Sequence, residues 1–198
     1  MVTYSPISTA TQVPTLQSER LILREWRESD LAPFAAMNAD PRVMEHFPAP
    51  LTRAESDTLV TKIREHWAAR QFGMWAVEIV GGPPFVGMCG LAVPKFEARF
   101  TPCVEVGWRF SPASWGHRYA TEAARMALAY AFEKVGLEEV VSFTALSNVR
   151  STRVMERIGM ARRTEDDFDH PMLSADHRLS RHVLYRISRD EWLNRKAL

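Results

Sequence analysis

A chain of 198 residues, 46% apolar and 25% charged, has the size and composition of a globular protein with one full hydrophobic core. A formal net charge of +1 gives no electrostatic case for nucleic acid or an anionic membrane as the main partner. The two cysteines, Cys89 and Cys103, are far apart and lack metal-ligand spacing, so reduced buried thiols are expected rather than a disulfide, a nucleophile or a metal site, as suits a cytoplasmic protein.

Met1 to Gln17 is rich in Ser, Thr and Pro and has no basic segment leading into an apolar one, so it does not read as a signal peptide. No apolar run approaches bilayer length. Residues 1–14 are expected to form a loosely held arm and 15–198 the folded domain. Leu21 to Trp26 reads as a first strand. Ser29 or Asp30 can cap a helix running through Met37, which Asp40-Pro41 breaks. Thr52 with Glu55 three residues on is a capping-box pattern opening a long helix to Arg70, with Leu59, Ile63, His66 and Trp67 on one face. Met74–Val80 and Phe85–Val93 read as strands joined by the turn Gly81-Gly82-Pro83-Pro84.

Cys103–Phe110 is a further strand. Tyr119–Val135 is the clearest helix, with Ala120, Ala123, Ala124, Ala127 and Ala131 at helical spacing and Gly136 as its stop. Val140–Leu146 is a buried strand, Asn148–Ile158 a short helix ended by Gly159, His182–Ser188 a last strand, and Asp190–Leu198 a helical tail. This order predicts an α/β (α+β) chain with a central mixed, mostly antiparallel twisted sheet flanked by helices.

The chemically informative unit is strand, short loop, helix across Glu105–Phe110, Ser111–Arg118 and Tyr119–Val135. A helix N-terminus presents unpaired backbone N–H groups and the positive end of its dipole, a ready phosphate site. His117 and Arg118 add donors at that mouth. The pattern is neither G-x-x-x-x-G-K-[ST] nor G-x-G-x-x-G, which argues against a nucleotide hydrolase or a dinucleotide oxidoreductase.

Trp115-Gly116-His117-Arg118-Tyr119-Ala120-Thr121-Glu122-Ala123 resembles the acetyl-CoA pyrophosphate loop of GNAT acetyltransferases, whose usual form is [QR]-x-x-G-x-[GA]. Leu21-Ile22-Leu23-Arg24, Val104-Glu105-Val106-Gly107-Trp108 and Asn148-x-x-Ser151 are similar, in order, to the branch that acetylates ribosomal-protein N-termini. The likeness spans about residues 17–188. It implies a GNAT fold and acetyl-CoA as cosubstrate, with no metal. Cofactor contacts would come from Trp108, Phe110, Trp115, Gly116, His117, Arg118, Tyr119, Ala120, Thr121, Asn148 and Ser151. The acceptor would be a primary amine, on a peptide N-terminus or a small molecule, and the protein a monomer or homodimer with neither nucleic acid nor membrane as partner. Two departures stand out. Trp115 replaces Gln or Arg, and Arg118 replaces a glycine that would permit positive φ. Arg118 therefore either takes an ordinary right-handed conformation or sustains strain that a phosphate contact offsets.

The resemblance assigns Glu105 as general base. Alternation alone favours a solvent-facing strand glutamate, but burial in this apolar stretch would raise its pKa usefully. Asn148 fits an N-cap and, by resemblance, a hydrogen bond to the pantetheine arm. Ser151 is the candidate acid for the departing thiolate, because the stretch that often holds a tyrosine in the family has Met155 instead. Backbone N–H groups of the Glu105–Phe110 strand would polarise the thioester carbonyl. Arg150, Arg153 and Arg157 read mainly as a solvated helix face, with the CoA 3′-phosphate as an alternative. The polar loop Asp166–Pro171 reads first as structural, with a substrate contact as the alternative, and the acidic stretch Glu165–Asp169 leans mildly toward a cationic acceptor. A CoA-binding sensor or structural module without turnover is the rival reading.

Overall fold

Successive strands pair mostly with their neighbours because short connections favour antiparallel hairpins. The computed structural model describes residues 12–196. In chain order the elements are β1 (Leu16–Gln17), β2 (Leu21–Arg24), α1 (Leu31–Ala39), α2 (Arg53–Arg70), β3 (Met74–Ile79), β4 (Gly87–Ala92), β5 (Glu105–Phe110), α3 (Tyr119–Tyr130), β6 (Glu139–Ala145), α4 (Val149–Arg157), β7 (Ala161–Arg162), β8 (Phe168–Asp169), β9 (Arg181–Ser188) and α5 (Arg189–Lys196). They form a single mixed sheet in the order β1-β2-β3-β4-β5-β6-β9-β7, with β8 also on β9. Every pairing is antiparallel except β5 with β6.

Period-two alternation divides the sheet into two faces. Leu21, Leu23, Val77, Trp75, Cys89, Leu91, Val106 and Val140 share one face, and all are buried in the main core. Helix α3 covers this face with its alanine stripe; Ala123, Ala124, Ala127 and Ala131 are all buried, and the Tyr130 ring meets Trp75 at 5.2 Å edge-on. The opposite face carries Glu105, Gly107 and Arg109, and α1 lies over it, since Arg109 Nη1 donates to Asn38 Oδ1 at 2.6 Å. A second cluster of Cys103, Val141, Phe168 and Leu184, with Phe96, Phe100 and Phe143 against it, fills that side next to β9.

Most expected elements are present with shifted bounds. The capping box of α2 is formed, with Thr52 N donating to Glu55 Oε2 at 2.8 Å. Its buried stripe is Ser56, Val60, Ile63 and Trp67. The first strand stops at Arg24, because Trp26 turns inward to donate Nε1 to Met74 O at 2.9 Å. The helix expected over Tyr119–Val135 is α-helical to Tyr130 and then widens into a π turn over Ala131–Val135, closed by Gly136 at φ 75°. Of the expected 1–14 arm, residues 1–11 lie outside the described residues; Val13 packs on the core and Pro14 O accepts from Trp75 Nε1 at 2.7 Å. The pairs of β1, β7 and β8 are additions that no sequence pattern indicated. Cys89 and Cys103 are free and buried, and burial pushes both thiols up, Cys103 to about 12. Among the described residues no helix is long and apolar enough to cross a membrane.

Asp30 does not cap α1 through its side chain. Its carboxylate instead receives both arms of Arg24, Nη1 to Oδ2 at 2.8 Å and Nη2 to Oδ1 at 2.9 Å, and the N–H of Arg27 at 2.7 Å. Arg24 Nε reaches Glu78 Oε2 at 2.7 Å. The pair is almost wholly buried, so desolvation makes it intolerant of losing one partner. Asp30→Ala is expected to lower stability by about 3 kcal/mol, the low end for a broken buried pair because Glu78 remains. Urea denaturation measures it.

Candidate active site

The parallel pairing of β5 with β6 is registered at one position, Glu105 opposite Val141. Val141 N donates to Val104 O at 2.9 Å, and beyond that point the strands part. Two hydrogen bonds fix which amides of β5 face the gap: Ser111 N to Val86 O at 2.9 Å and Leu91 N to Gly73 O at 3.0 Å. In an antiparallel ladder bonding alternates, so Glu105, Gly107 and Arg109 bond to β4, whereas Trp108 and Phe110 turn their backbone groups toward the gap. Trp115 Nε1 takes the Phe110 carbonyl at 3.0 Å, consistent with that phase. The gap opens into a cleft of about 1020 Å³.

Glu105 lines the cleft where the strands part. Its carboxylate accepts no hydrogen bond and joins no ion pair among the described residues. It keeps some surface contact through the cleft, yet the protein around it is dense enough that burial pushes its pKa up to about 8.

The loop after β5 supplies an anion cradle. Gly116 has φ 83° and Arg118 φ 63°, with His117 between them at negative φ. Alternating φ signs turn successive N–H groups into one concavity, and here it sits at the N-terminus of α3. Arg118 is left-handed, so of the two conformations open to it the strained one is adopted, at about 1–2 kcal/mol. The loop is held from behind. Arg20 Nε donates to Glu122 Oε2 at 2.9 Å, Arg20 Nη1 to His117 O at 3.3 Å, and Ser18 Oγ to Glu122 Oε1 at 2.7 Å. Trp115, Gly116, Arg118, Tyr119, Ala120 and Thr121 line the cleft. The His117 side chain does not; it is exposed and stacks on Tyr119 at 5.4 Å.

Asn148 caps α4, its Oδ1 accepting from Ser151 N at 3.2 Å. Both amide protons are committed, Nδ2 donating to Thr144 Oγ1 at 2.8 Å and to Ser151 Oγ at 3.1 Å. A cofactor contact from Asn148 is therefore left to the second lone pair of Oδ1. Ser151 Oγ is an acceptor in this network, so its proton is available to the cleft that both residues line. Met155, on the next turn, is a buried part of the cleft wall.

Arg150, Arg153 and Arg157 are solvent-exposed, as expected of a solvated helix face, and that face of α4 lines the cleft. Arg150 lies over the Trp115 ring at 4.5 Å. The acidic stretch is a structural loop, the first of its two readings, and lends no charge to a cationic acceptor. Asp166 pairs with Arg186 at 3.0 Å, Asp167 with Arg162, and Asp169 with Arg181 at 3.3 Å. None of these carboxylates lines the cleft, whose single lining carboxylate among the described residues is Glu105. Sequence reading missed Arg20, Arg42, His46, Phe47, Arg109, His170 and His182. The last six line the far side of the cleft, brought there by the α1–α2 connection, β5 and the β8–β9 region. No local motif marks them; only the folded sheet brings them together.

A concave anion cradle at a helix mouth, a cationic rim and a gap between two strands suit a long, phosphate-bearing thioester. Thr121 Oγ1, buried without a protein partner in the first turn of α3, leaves one polar atom to be satisfied there. The comparisons agree. Residues 20–161 match the acetyltransferase (GNAT) domain. The chain belongs to the GNAT acetyltransferase family, whose members use acetyl-CoA. It is 34% identical over 193 residues to the FsC-acetyl coenzyme A-N(2)-transacetylase of Aspergillus fumigatus, covering 91% of this chain and 78% of that one. A GNAT-family acetyltransferase structure from Bacillus anthracis superposes with TM-score 0.73 at 25% identity, covering 89% of this chain and 99% of that one. The spermidine N-acetyltransferase of Vibrio cholerae, solved with CoA and spermine, gives TM-score 0.71 at 19% identity, covering 89% and 100%.

Arg118→Gly tests the loop. Relieving a left-handed arginine is expected to raise stability by about 1 kcal/mol. It also removes a cation from the mouth of the cleft, so CoA binding measured by calorimetry is expected to weaken, with the difference shrinking as salt rises. A variant that gains stability and keeps its affinity would show that Arg118 makes no phosphate contact.

Proposed function

We propose that the protein is an acetyl-CoA-dependent N-acetyltransferase acting on a primary amine by direct attack within a ternary complex. The observation that carries this reading is the position of Glu105, an enclosed, unpaired carboxylate where β5 leaves β6. Acetyl-CoA supplies the activated acetyl thioester. The Gly116–Thr121 cradle and the Arg118, Arg153 and Arg157 rim hold its phosphates. The outward amides of Trp108 and Phe110 receive its carbonyl-bearing arm and place N–H dipoles beside the developing oxyanion.

Glu105, once ionised, takes a proton from the acceptor ammonium directly or through one water, and the nitrogen lone pair forms the new N–C bond. The C–S bond breaks, and the Ser151 hydroxyl, turned into the cleft by the Asn148 contact, donates to the departing sulfur and is restored by the second proton that the acylated nitrogen sheds. The acceptor enters from the α1 side, past Phe47 and Arg109. Peptide N-termini and small amines both remain candidate acceptors.

Glu105→Gln keeps size and hydrogen bonding but removes basicity. Acetyl-CoA binding is expected to persist, and kcat/KM to fall roughly 10²–10⁴-fold. For the parent, kcat/KM is expected to rise with pH and level off above about 8, as Glu105 ionises. At higher pH the gap narrows as the amine loses its own proton, near 8 for an α-amine and about 10.4 for a lysine-like one. Thiol release from acetyl-CoA across a panel of amines measures this. Saturable CoA binding with no thiol release from any amine would instead support a binding module without turnover.

The same shift governs stability. A carboxyl whose pKa is raised by folding holds its proton more tightly in the native state. The parent is therefore expected to lose stability relative to Glu105→Gln as pH rises from the ordinary carboxylate range through about 8. Paired denaturation curves at pH 5 and pH 9, both approximate brackets of that range, check the sign.

A further inference from the structure

Glu105, Gly107 and Arg109 share one face of β5, and all three line the cleft. Opposite Gly107 stands Gly90, where an added Cβ would lie 2.2 Å from Gly73 O. Neither position of that cross-strand pair offers a side chain. The floor between Glu105 and Arg109 thus carries no side chain of its own and is overlain by the flexible end of Met74, 3.3 Å from where a Gly107 Cβ would be, against which a ligand chain can lie. Four residues of strand separate the two ends by about 13 Å between Cα atoms.

Among the described residues Arg109 is an enclosed cation without an ion-pair partner. Its Nη1 donates to the amide oxygen of Asn38, and its guanidinium carbon lies 4.1 Å from the centre of the Phe47 ring. Nε is sealed from solvent and has no acceptor. Nη2 has no protein partner and is not sealed. Among the described residues no carboxylate forms an ion pair with it. Burial pulls its pKa down to about 10, which still leaves it charged at neutral pH. The other arginine on this side, Arg42, is paired with Asp40 at 2.6 Å. A buried unpaired charge is costly, and an anion from the ligand would offset that cost. A polycation would meet the opposite field.

We propose that the acceptor is a primary amine that also carries a carboxylate, lying across Gly107 with its amine at Glu105 and its carboxylate on Nη2 of Arg109. This rests on the N-acetyltransferase reading above and narrows it to a substrate class. The Arg109 guanidinium offers the carboxylate a charge-assisted hydrogen bond, the strongest ordinary kind. The side that binds it is furnished by α1 and its connection to α2, so Asn38 and Phe47 position the cation.

The test uses straight-chain acceptors with three to six methylene groups, each supplied as the ω-amino acid, its primary amide and the α,ω-diamine. Thiol release gives kcat/KM for the whole protein, Arg109→Gln and Arg109→Lys. In parallel, the Arg109 Nε–H resonance of the CoA-saturated protein is followed during titration with each compound. The parent is expected to prefer the amino acid over its amide and its diamine by about tenfold or more at the best chain length, the worth of one charge-assisted hydrogen bond. Arg109→Gln is expected to erase that preference and Arg109→Lys to retain part of it, with acetyl-CoA affinity unchanged in both. The amino acid should shift the Arg109 signal saturably and the diamine should not. Equal use of acid and amide, preference for the diamine, or equal loss on all three acceptors in Arg109→Gln would overturn the proposal. So would CoA binding with no Arg109 response to any amino acid, an outcome that leaves the broader reading standing. Failure to bind CoA at all would sink the broader reading instead.

Discussion

Parallel contact between β5 and β6 ends after one registered pair, and the site is organised around that ending. Had the ladder continued, the outward amides of Trp108 and Phe110 would be spent on β6. As it is, both sides of the sheet are complete, β4 against β5 and β6 against β9, and the missing bonds lie where a ligand can supply them. The last paired residue is Glu105. A carboxylate at the apex of such a gap is crowded by protein yet reachable from the cleft. That combination raises its pKa without burying it beyond use.

Rigidity around the gap comes from charges that serve the scaffold. Arg24 and Asp30 lock the start of α1 to the sheet, and α1 in turn holds Arg109 through Asn38. Arg20, Ser18 and Glu122 brace the phosphate loop from the edge of β2, on the side away from the ligand. This bracing explains how the loop sustains a left-handed arginine. Strain at Arg118 is small beside the contacts that over-determine the loop, and the reward is a cradle of amides with a cation at its lip. Asn148 does similar work at α4, where its committed amide both caps the helix and orients Ser151.

The charge pattern of the cleft runs against that of the surface. Net charge is near zero, and carboxylates such as Asp166, Asp167 and Asp169 are paired with arginines away from the site. Inside the cleft the balance is cationic: arginines from the phosphate loop, α4, β5 and the α1–α2 connection converge, with Glu105 as the one carboxylate lining it among the described residues. In the proposed function the rim arginines answer to the phosphates of CoA. Arg109, on the far face, is too deep in the α1 side of the cleft to belong with them.

Local sequence signals determined the main helices, most longer strands and the phosphate loop, because each is written within a few residues. The capping box at Thr52, the alanine stripe of α3 and the stop at Gly136 need no tertiary context. Glu105 and Ser151 stood out only through the resemblance to the acetyltransferase family, since alternation alone favours a solvent-facing glutamate at 105. What the sequence could not supply is convergence. Asp30 looked like a helix cap until Arg24 claimed it, and the partners of the aspartates in Glu165–Asp169, namely Arg162, Arg181 and Arg186, were not legible along the chain. The two-residue strands β1, β7 and β8 exist only because a longer neighbour pairs with them. Arg109 carries no signature at all: its meaning depends on Asn38 and Phe47, some sixty to seventy residues away along the chain, and on its having no ion-pair partner among the described residues. Propensity and capping act over single turns, whereas ion pairing and desolvation act over distances that only the folded sheet defines.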